Sequence, residues 1–390
     1  MHLDIESYLP IDMLKQLFGA LSTHGESRLV GGCVREIIRG NHPKDIDIAT
    51  QVLPLQAMEL LERSGFKCIP TGLKHGTITV TKDGHKFEVT TLRADVATDG
   101  RHADVVYTLD WQEDAMRRDF TFNALYLDLD GRLHDYHSGI QDLERCIIRF
   151  IGNPERRIHE DYLRILRYFR FYSYYNADNI DSPSLEACQE LGSHITKLSC
   201  HRIHQELFKM LSAHFGLQAV IIMQATKVLN YLIPGLQLVD LTKIKFTDEP
   251  VVNLAALLKL ANLNEQQFDQ ATKFLGLTNR EKETVATLLN TIIIDPNATN
   301  LKSKEVIYRH GYKNYLLAVK LFNALNPLLE TIADHGDIPK FPITGHDLIA
   351  CGFKSKAIGV ELKKLEDLWI KNNFQLTKEE LLGPYRHFAI

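Results

Sequence analysis

The chain has 390 residues, a formal net charge of −4 at pH 7 and 24% charged residues. That length is enough for two or three domains of a globular protein. The acidic balance argues against a protein that coats DNA through general positive charge, although it leaves a local basic groove open. No apolar run reaches the roughly 18 residues of a transmembrane helix, so we expect no membrane partner.

The cysteines and the N-terminal residues predict a cytoplasmic protein. The six cysteines contain no CxxC pair, a spacing that is typical of free thiols in a reducing compartment rather than of a disulfide frame or a zinc site. The first ten residues carry Asp4 and Glu6 but no lysine or arginine, which is the pattern of neither a signal peptide nor a transit peptide.

Short strands alternate with helices up to Arg149. The turn signals Asp83-Gly84 and Asp130-Gly131 each lie between alternating apolar segments, which is the pattern of a β-hairpin. In chain order, the predicted elements are a strand at 28–30, a helix at 34–40, a strand at 45–50, a helix at 54–65, a hairpin at 76–93 and a second hairpin at 124–136.

Helical periodicity dominates after Arg149, and no clear hairpin pattern recurs. Turn-rich segments interrupt it at 176–184, 292–300 and 334–345, and the last of these is typical of a domain boundary. The pattern predicts an α+β fold, with a mixed head followed by helical domains. The predicted domains are a head at 1–148, a helical neck at 149–213, a helical body at 214–335 and a helical tail at 336–390.

Two acids, Asp45 and Asp47, lie within the apolar strand predicted at 45–50. Residues i and i+2 of a strand point to the same face, so the two carboxylates should lie side by side. Adjacent carboxylates repel one another unless a cation lies between them, and oxygen ligands of this kind suit Mg²⁺. Taken alone, such a short and common motif is more typical of two solvated acids on an edge strand than of a metal site.

The segment before these acids favours a phosphate site. Gly31 and Gly32 let the backbone approach a phosphate closely, and they lead into the helix predicted at 34–40. Arg35 follows in the first turn, where its guanidinium could meet a phosphate. A phosphate site and a metal site this close in sequence predict nucleotide binding.

Two further motifs combine acids with arginines. Arg118 and Asp119 lie in a segment that begins helically, and Asp119 would share a helix face with Asn123 if the helix continued that far. Further on, an acid and three arginines follow one another at intervals of three in a predicted helix; they are Asp161, Arg164, Arg167 and Arg170. Taken alone, this second set is more typical of a salt bridge with a basic helix flank.

Together these motifs resemble the class II tRNA nucleotidyltransferases, the CCA-adding enzymes of the polymerase-β-like superfamily, which also includes poly(A) polymerases. The four motifs occur in the family's order within about the first 175 residues, and they are GGCVRE (31–36), DID (45–47), RRDFTFN (117–123) and EDYLRILRYFR (160–170). Glu36 replaces the usual aspartate and Phe122 the usual isoleucine; neither change removes a metal ligand.

The resemblance implies a polymerase-β-like head and template-independent addition of C, C and A to the 3′ end of tRNA. The substrates would be CTP and ATP, and Asp45 and Asp47 would hold Mg²⁺ for catalysis. The nucleotide would be bound by residues from all the other motifs, namely Gly32, Arg35, Arg118, Asp161, Arg164, Arg167 and Arg170. Asp119 and Asn123 would select ribose.

The resemblance also assigns base selection to Asp161 and Arg164. Cytosine and adenine both present an exocyclic amine beside a ring nitrogen acceptor, so an aspartate can accept from the amine and an arginine can donate to the ring. Guanine and uracil present the reverse pattern and would leave both side chains unpaired, which is costly in a desolvated site.

Other segments allow two interpretations each. Residues 93–112 could be an ordinary surface loop or the flexible loop that, in the family, is needed for the final A. The resemblance implies a shorter loop in enzymes that add only CC, so the length here favours full CCA addition. Glu88 could be a third catalytic carboxylate or a solvated strand acid. The tail beyond Phe353 could contact tRNA, with Trp369 and Tyr385 available for stacking, or could be a plain helical domain. The pair His346-Asp347 is not expected to bind a metal.

Several alternatives remain open at this stage. A-only addition is compatible with the motifs. A poly(A) polymerase is less so, because its signature before the first hairpin is replaced here by TGLKHGTITV. A non-catalytic RNA-binding factor would have no need for intact Asp45, Asp47, Arg35 and Asp161. The sequence does not indicate the oligomeric state.

Overall fold

The structure is a computed structural model that describes residues 2–98, 103–175, 179–236, 239–291, 303–325, 339–354 and 356–388. The chain divides into two compact units. The first comprises Met1–Thr242 with Phe246–Asn279, and the second comprises Lys243–Lys245 with Arg280–Ile390. The division after Asn279 falls inside the body predicted at 214–335, and the four-domain scheme stays a prediction.

The first unit begins with the mixed head that the sequence predicts. Most predicted elements are confirmed to within a few residues, including both hairpins with positive φ at Gly84 and Gly131. The head comprises α1 (Ile11–Leu21), β1 (Ser27–Val30), α2 (Gly32–Ile38), β2 (Asp47–Thr50), α3 (Pro54–Arg63), β3 (Lys67–Gly72), β4 (Thr77–Lys82), β5 (His85–Thr91), β6 (Arg93–Thr98), β7 (Ala103–Tyr107), α4 (Trp111–Met116), β8 (Leu125–Leu127), β9 (Leu133–Asp135) and α5 (Gly139–Glu144).

Seven strands form one sheet in the order β3-β4-β5-β2-β1-β8-β9. Strand β2 lies in the centre of the sheet, antiparallel to β1 and parallel to β5. The C-terminal end of β1 and Glu88 of β5 therefore lie next to the N-terminal end of β2. Helix α2 starts directly after β1 and is held to β2 by Cys33, whose thiol donates to the carbonyl oxygen of Asp47 at 3.5 Å. Ile48 is fully buried beneath the sheet's other face. This arrangement fixes the start of β2 beside the turn between β1 and α2.

Strands β6 and β7 pair as a separate two-stranded sheet. The sequence predicts a surface loop over 93–112, and that prediction is wrong for its two arms, which form a hairpin ladder. Polar and apolar residues alternate in part of each arm of the segment, so the two arms can pair as strands once they are brought together. The tip at 99–102 lies outside the described residues.

Helices make up the rest of the first unit. An aromatic cluster joins them to the head: Phe171 packs edge-on against Phe120 and Phe122, with ring centroids 5.2 and 5.1 Å apart. The helices are α6 (Pro154–Glu160), α7 (Leu163–Tyr175), α8 (Ser182–Glu190), α9 (Cys200–Leu211), α10 (Gly216–Ala225), α11 (Pro250–Leu260) and α12 (Glu265–Phe274), while α13 (Asn279–Thr291) begins at the last residue of this unit.

The second unit has its own apolar core around Trp369. Trp369 is 2% exposed and packs on Phe374, with ring centroids 5.0 Å apart, so it is not available to stack on RNA as the sequence suggested. The hydroxyl of Tyr385 donates to Glu361. The carboxylate of Asp347 caps a helix and pairs with Lys378 at 2.6 Å. The helices are α14 (Ser303–Leu325, kinked at Gly311), α15 (Gly345–Ala350), α16 (Lys356–Lys371) and α17 (Lys378–Leu382).

Within the part of the chain that the structure describes, no single helix has both the length and the apolar composition to cross a membrane. The pair α9 and α10 meets both criteria together, but the two helices bend by 120° where they meet.

Candidate active site

A tight turn links β1 to α2 at the end of the central sheet. Gly31 adopts φ +72° and ψ −121°, a conformation that only glycine adopts without strain. A Cβ on Gly31 would lie 3.7 Å from Nη1 of Arg118, and one on Gly32 would lie 3.7 Å from Nη2 of Arg35. The turn therefore brings a bare backbone next to two guanidinium groups.

The two acids of the DID motif lie beside this turn. Strand β2 begins at Asp47, so the prediction that both acids lie within the strand is wrong for Asp45, which precedes it in an exposed bend. Ile48 is buried, whereas Ile46 is only half-buried. Asp45 nevertheless acts on Asp47 electrostatically, because it is one of the charges that change the pKa of Asp47.

Asp47 occupies a mixed electrostatic environment. Burial raises the pKa of its carboxyl, the nearby Arg118 opposes this, and the negative charges of Asp45 and Glu88 raise it further. Carboxylates that repel each other in this way are stabilised by a cation between them. The positive charge of Arg118 supplies part of that compensation in the protein itself.

Glu88 is the residue directly opposite Asp47 in the parallel pairing of β2 and β5. Its carboxylate accepts hydrogen bonds from the hydroxyl of Thr79, at 2.9 and 3.1 Å, and pairs with Lys86 at 2.9 Å. The structure thus places the third acid that the sequence left undecided next to the other two. Among the described residues, no group of three or more His, Cys, Asp or Glu side chains is arranged to hold a metal by itself.

Arg118 is held by a buried acid that sequence reasoning did not single out. Asp114 is 1% exposed and accepts from Arg117 at 2.7 Å, from Arg118 at 3.0 Å and from the hydroxyl of Tyr126 at 2.7 Å. The guanidinium groups of Arg118 and Arg117 keep the pKa of Asp114 well below its ordinary value, even though burial acts the other way. The signal in the sequence was the i, i+3 and i, i+4 spacing of acid and arginines.

Asp119 and Asn123 come together by a different route from the one predicted. Helix α4 ends at Met116, so the prediction of a shared helix face is wrong; a 3₁₀ turn over Thr121–Asn123 brings the Asn123 amide to 2.9 Å from the Asp119 carboxylate. The side-chain oxygen Oδ1 of Asn123 also accepts a hydrogen bond from Arg35. These contacts connect the ribose-selecting pair of the family motif to the arginine beside the Gly31 turn.

The EDYLR segment is not part of one continuous helix. Asp161 has extended backbone angles, φ −158° and ψ 107°, and separates α6 from α7, so the predicted helical face through the acid and its arginines does not form at Asp161. Asp161 pairs with Arg202 at 2.7 Å, whereas Arg164 pairs with Glu160 at 2.7 Å. The two predicted base-reading residues therefore have separate partners.

The remaining arginines of this motif are paired with acids. Arg167 binds Asp119 through Nε at 2.6 Å, and Arg170 pairs with Glu206 of α9 at 2.6 Å. Burial acts to raise the pKa of Asp119, but the charge of Arg167, followed by the hydrogen bond from Asn123 and the charge of Arg164, lowers it overall. No spacing along the chain would have identified Glu206, because it lies far from this motif in sequence, on another helix.

A buried arginine of α6 binds the RRD motif. Arg157 is 6% exposed, pairs with Glu160, and donates to the carbonyl oxygens of Arg117 and of Arg118, the latter at 2.7 Å. Arg164 donates to the carbonyl oxygen of Arg157 at 2.6 Å. The motifs that lie far apart in sequence thus form one hydrogen-bonded region, with acids, arginines and a glycine turn around a single place, as nucleotidyl transfer requires.

This fold and arrangement define a nucleotidyltransferase, and the comparisons with known proteins agree. Residues 27–149 match the family model described as "Poly A polymerase head domain", and residues 179–239 match "Probable RNA and SrmB- binding site of polymerase A". The chain is 36% identical to "CCA tRNA nucleotidyltransferase 1, mitochondrial" of Danio rerio over 92% of its length and 86% of that protein. It is 32% identical to a "CCA-adding enzyme" of Staphylococcus epidermidis, over 90% of its length and 92% of that protein.

The fold is also found among solved structures. The CCA-adding enzyme of Bacillus stearothermophilus in complex with CTP superposes with a TM-score of 0.78 at 24% identity, covering 97% of this chain and 98% of that one. That likeness supports the polymerase-β-like fold predicted for the head. On the sequence relationships above, the chain belongs to the family of CCA-adding tRNA nucleotidyltransferases.

Proposed function

We propose that this enzyme adds C, C and A to the 3′ end of tRNA, using CTP and ATP without a template and releasing pyrophosphate. The observation that carries the assignment is the placement of Asp45 and Asp47 beside the Gly31 turn and Arg118, in a chain of the CCA-adding family. Acids that bind a metal and arginines that bind phosphate are the components that nucleotidyl transfer needs.

We infer that Asp45 and Asp47 hold Mg²⁺. The residues fit this ion. The negative charges of Asp45 and Glu88 act on the carboxylate of Asp47, and all three side chains offer only oxygen ligands. Two protein carboxylates completed by substrate phosphates and water are a usual magnesium site. When bound there, Mg²⁺ supplies Lewis-acid stabilisation of the attacking and leaving oxygens.

The chain's own residues would orient the triphosphate. Nη1 of Arg118 faces the Gly31 turn while its other nitrogens are fixed by Asp114, so the guanidinium is pre-oriented without losing its charge. Arg35 is oriented by Asn123 and by the ring of Phe171, whose centroid lies 5.1 Å from its Cζ. Gly32 would let the phosphates approach the backbone between these two arginines.

Base selection would use Asp161 and Arg164, each oriented by its own partner. Arg202 holds one oxygen of Asp161, and a carboxylate oxygen can accept a second hydrogen bond, in this case from the exocyclic amine of cytosine or adenine. Glu160 orients Arg164, whose guanidinium has five N–H groups to share. Arg167 and Arg170 would support the nucleotide from the same helix.

One assay tests the activity most simply. The protein is incubated with Mg²⁺ and tRNA transcripts that lack the last three, two or one nucleotides, together with CTP, ATP or both. We expect CMP on the first two transcripts and AMP on the third. AMP added only to the transcript ending in CC would restrict the activity to A addition; RNA binding without any incorporation would indicate a non-catalytic factor.

A second candidate activity, poly(A) synthesis, is favoured by one observation, the match of residues 27–149 to a poly(A) polymerase head model. Long A tails in the same assay would identify it. Full CCA addition is supported by the length of the segment at 93–112, which in the family accompanies addition of the final A.

We also propose a cytoplasmic location. All six cysteines are free, and burial raises the pKa of the Cys33 thiol to about 11, so this thiol stays protonated at neutral pH. Cell fractionation with a tagged chain tests the location, and enrichment in mitochondria would contradict it.

A further inference from the structure

A group of polar aromatic rings lies beside the predicted base-reading residues. Tyr162, which follows Asp161 at the break between α6 and α7, stacks on His194 with ring centroids 4.5 Å apart and 22° between the ring planes. His159 meets Tyr162 edge-on at 6.0 Å, and Nζ of Lys197 lies 5.4 Å from the centroid of the Tyr162 ring. We call these four residues the ring cluster.

The ring cluster is at the surface rather than in the core. His159 and Lys197 are exposed, and Tyr162 and His194 are half-buried. Apolar side chains of the same helices fill the interior, including Ile158, which is fully buried. The stacked rings are therefore partly accessible to a ligand, and packing of the core does not account for them.

The charges around the ring cluster favour a nucleic acid. Lys197 carries a positive charge, and the neighbouring acids Asp161 and Glu160 are each paired with arginine. Burial, with help from Lys197 and His159, lowers the pKa of His194, so its ring is neutral at pH 7 and stacks on Tyr162 without a charge of its own. A flat neutral stack beside a cation suits a nucleobase with its phosphate.

We propose that the ring cluster is the stacking platform for the unpaired base at the 3′ end of the RNA acceptor. This rests on the proposed function, because an acceptor base must lie next to the incoming nucleotide for in-line attack, and Tyr162 is adjacent in sequence to Asp161. His194 and Lys197 lie within the range that matches an RNA-binding family model, whereas His159 and Tyr162 lie outside it. Stacking tolerates any base, so the same platform serves each successive 3′ end.

The test measures RNA affinity and nucleotide KM separately. The probe is a fluorescent RNA hairpin that resembles an acceptor stem, with either an unpaired 3′ nucleotide or a blunt end. In the full chain, His194→Ala and Tyr162→Leu should weaken binding of the unpaired RNA by roughly five- to a hundredfold, while affinity for the blunt RNA and the KM for CTP and ATP stay unchanged. His194→Phe and Tyr162→Phe, which keep a ring, should restore binding.

A matched control is available on the same unit. His214 is exposed and packs on Phe215, with ring centroids 4.6 Å apart, and it too lies within the matched RNA-binding range. His214→Ala should leave all four measurements unchanged.

Three results would overturn the assignment. A higher KM for CTP and ATP with unchanged RNA affinity would show that the rings bind the incoming nucleotide instead. Equal losses for blunt and unpaired RNA would indicate contact with the duplex. Unchanged values throughout would exclude a ligand role. Because binding is measured with RNA alone, failure of the wild-type chain to incorporate nucleotides would reject the proposed function without deciding the role of the rings.

Discussion

Asp47 combines partial burial with two negative neighbours, Asp45 and Glu88, and two compensating arginines, Arg118 and Arg35. Burial and two like charges disfavour the ionised carboxylate of Asp47, and the proposed cation would offset that cost. Asp45, which is exposed at the mouth of the same site, completes a pair that can be reached from solvent. We therefore propose that the chemistry of the site depends on both carboxylates.

We expect Asp45→Ala or Asp47→Ala to reduce incorporation of both CMP and AMP by at least about a thousandfold, because the stabilisation that a bound metal gives the transition state is lost. Affinity for tRNA should change little. Radiolabelled nucleotide incorporation and RNA binding measure the two effects. Asp83→Asn, a neutralised acid in a hairpin turn of the same sheet, is the control and should keep activity. Retained activity in either alanine variant would contradict the metal-binding role.

Asp114 predicts a dependence of stability on pH. Its folded-state pKa lies below the ordinary value, so its pairing with Arg117 and Arg118 stabilises the fold above about pH 4 and is lost as the pH falls through the folded pKa. Asp114→Asn should lower the free energy of unfolding by about 3 kcal/mol at pH 7, because two buried guanidinium groups lose their partner. Urea unfolding at pH 7 and pH 3 checks this; a deficit that does not shrink at pH 3 would contradict it.

Arg164 should determine which bases are accepted. Arg164→Ala removes the donor proposed for the ring nitrogen of cytosine and adenine, so incorporation of GMP and UMP relative to CMP and AMP should rise by about tenfold or more. Single-nucleotide incorporation with each of the four triphosphates measures the ratio. Arg156→Ala, on the neighbouring helix with a side chain that is 84% exposed, is the control. Unchanged discrimination in the Arg164 variant would refute its role in reading the base.

At the scale of elements, the turn between β1 and α2 is the feature that we propose brings the backbone close to the phosphates of the nucleotide. Gly31→Ala should destabilise the fold by about 1–3 kcal/mol, since the left-handed φ is strained for any other residue, and should raise the KM for CTP and ATP. Thermal unfolding and steady-state kinetics test both effects. Gly19→Ala, inside α1 with open space around it, should instead stabilise by up to about 1 kcal/mol. Equal behaviour of the two variants would contradict the argument from φ.

The elements also show what could be predicted from sequence. Strand β1, helix α3 and the Asp83-Gly84 turn follow from local patterns, and they are where the sequence placed them. The break at Asp161 was missed because apolar residues keep helical spacing on both sides of it. The pairing of Glu88 with Asp47 could not be derived, because parallel strands are joined through a long crossover and their register is not a local property.

At the scale of the whole molecule, the site is built by the first unit. Its sheet and the turns beside it supply Asp45, Asp47 and Gly31. The break between α6 and α7 supplies Asp161, and α7 supplies Arg164, so the unit holds the whole set of residues proposed to bind the nucleotide. Within it we propose a catalytic head at 1–148 and a neck at 149–213, followed along the chain by a body at 214–335. A tail at 336–390 would contact tRNA through its surface lysines, since Trp369 is buried.

In the proposed function, the protein's side chains select C and A without a nucleic-acid template, and nucleotide addition ends after three residues. The most direct measurement is to incubate a tRNA transcript lacking its last three nucleotides with the protein, Mg²⁺ and all four nucleoside triphosphates, and to sequence the 3′ ends. We predict ends extended by CCA and by no further nucleotide. Tails of A, or ends that contain G or U as often as C and A, would contradict the account.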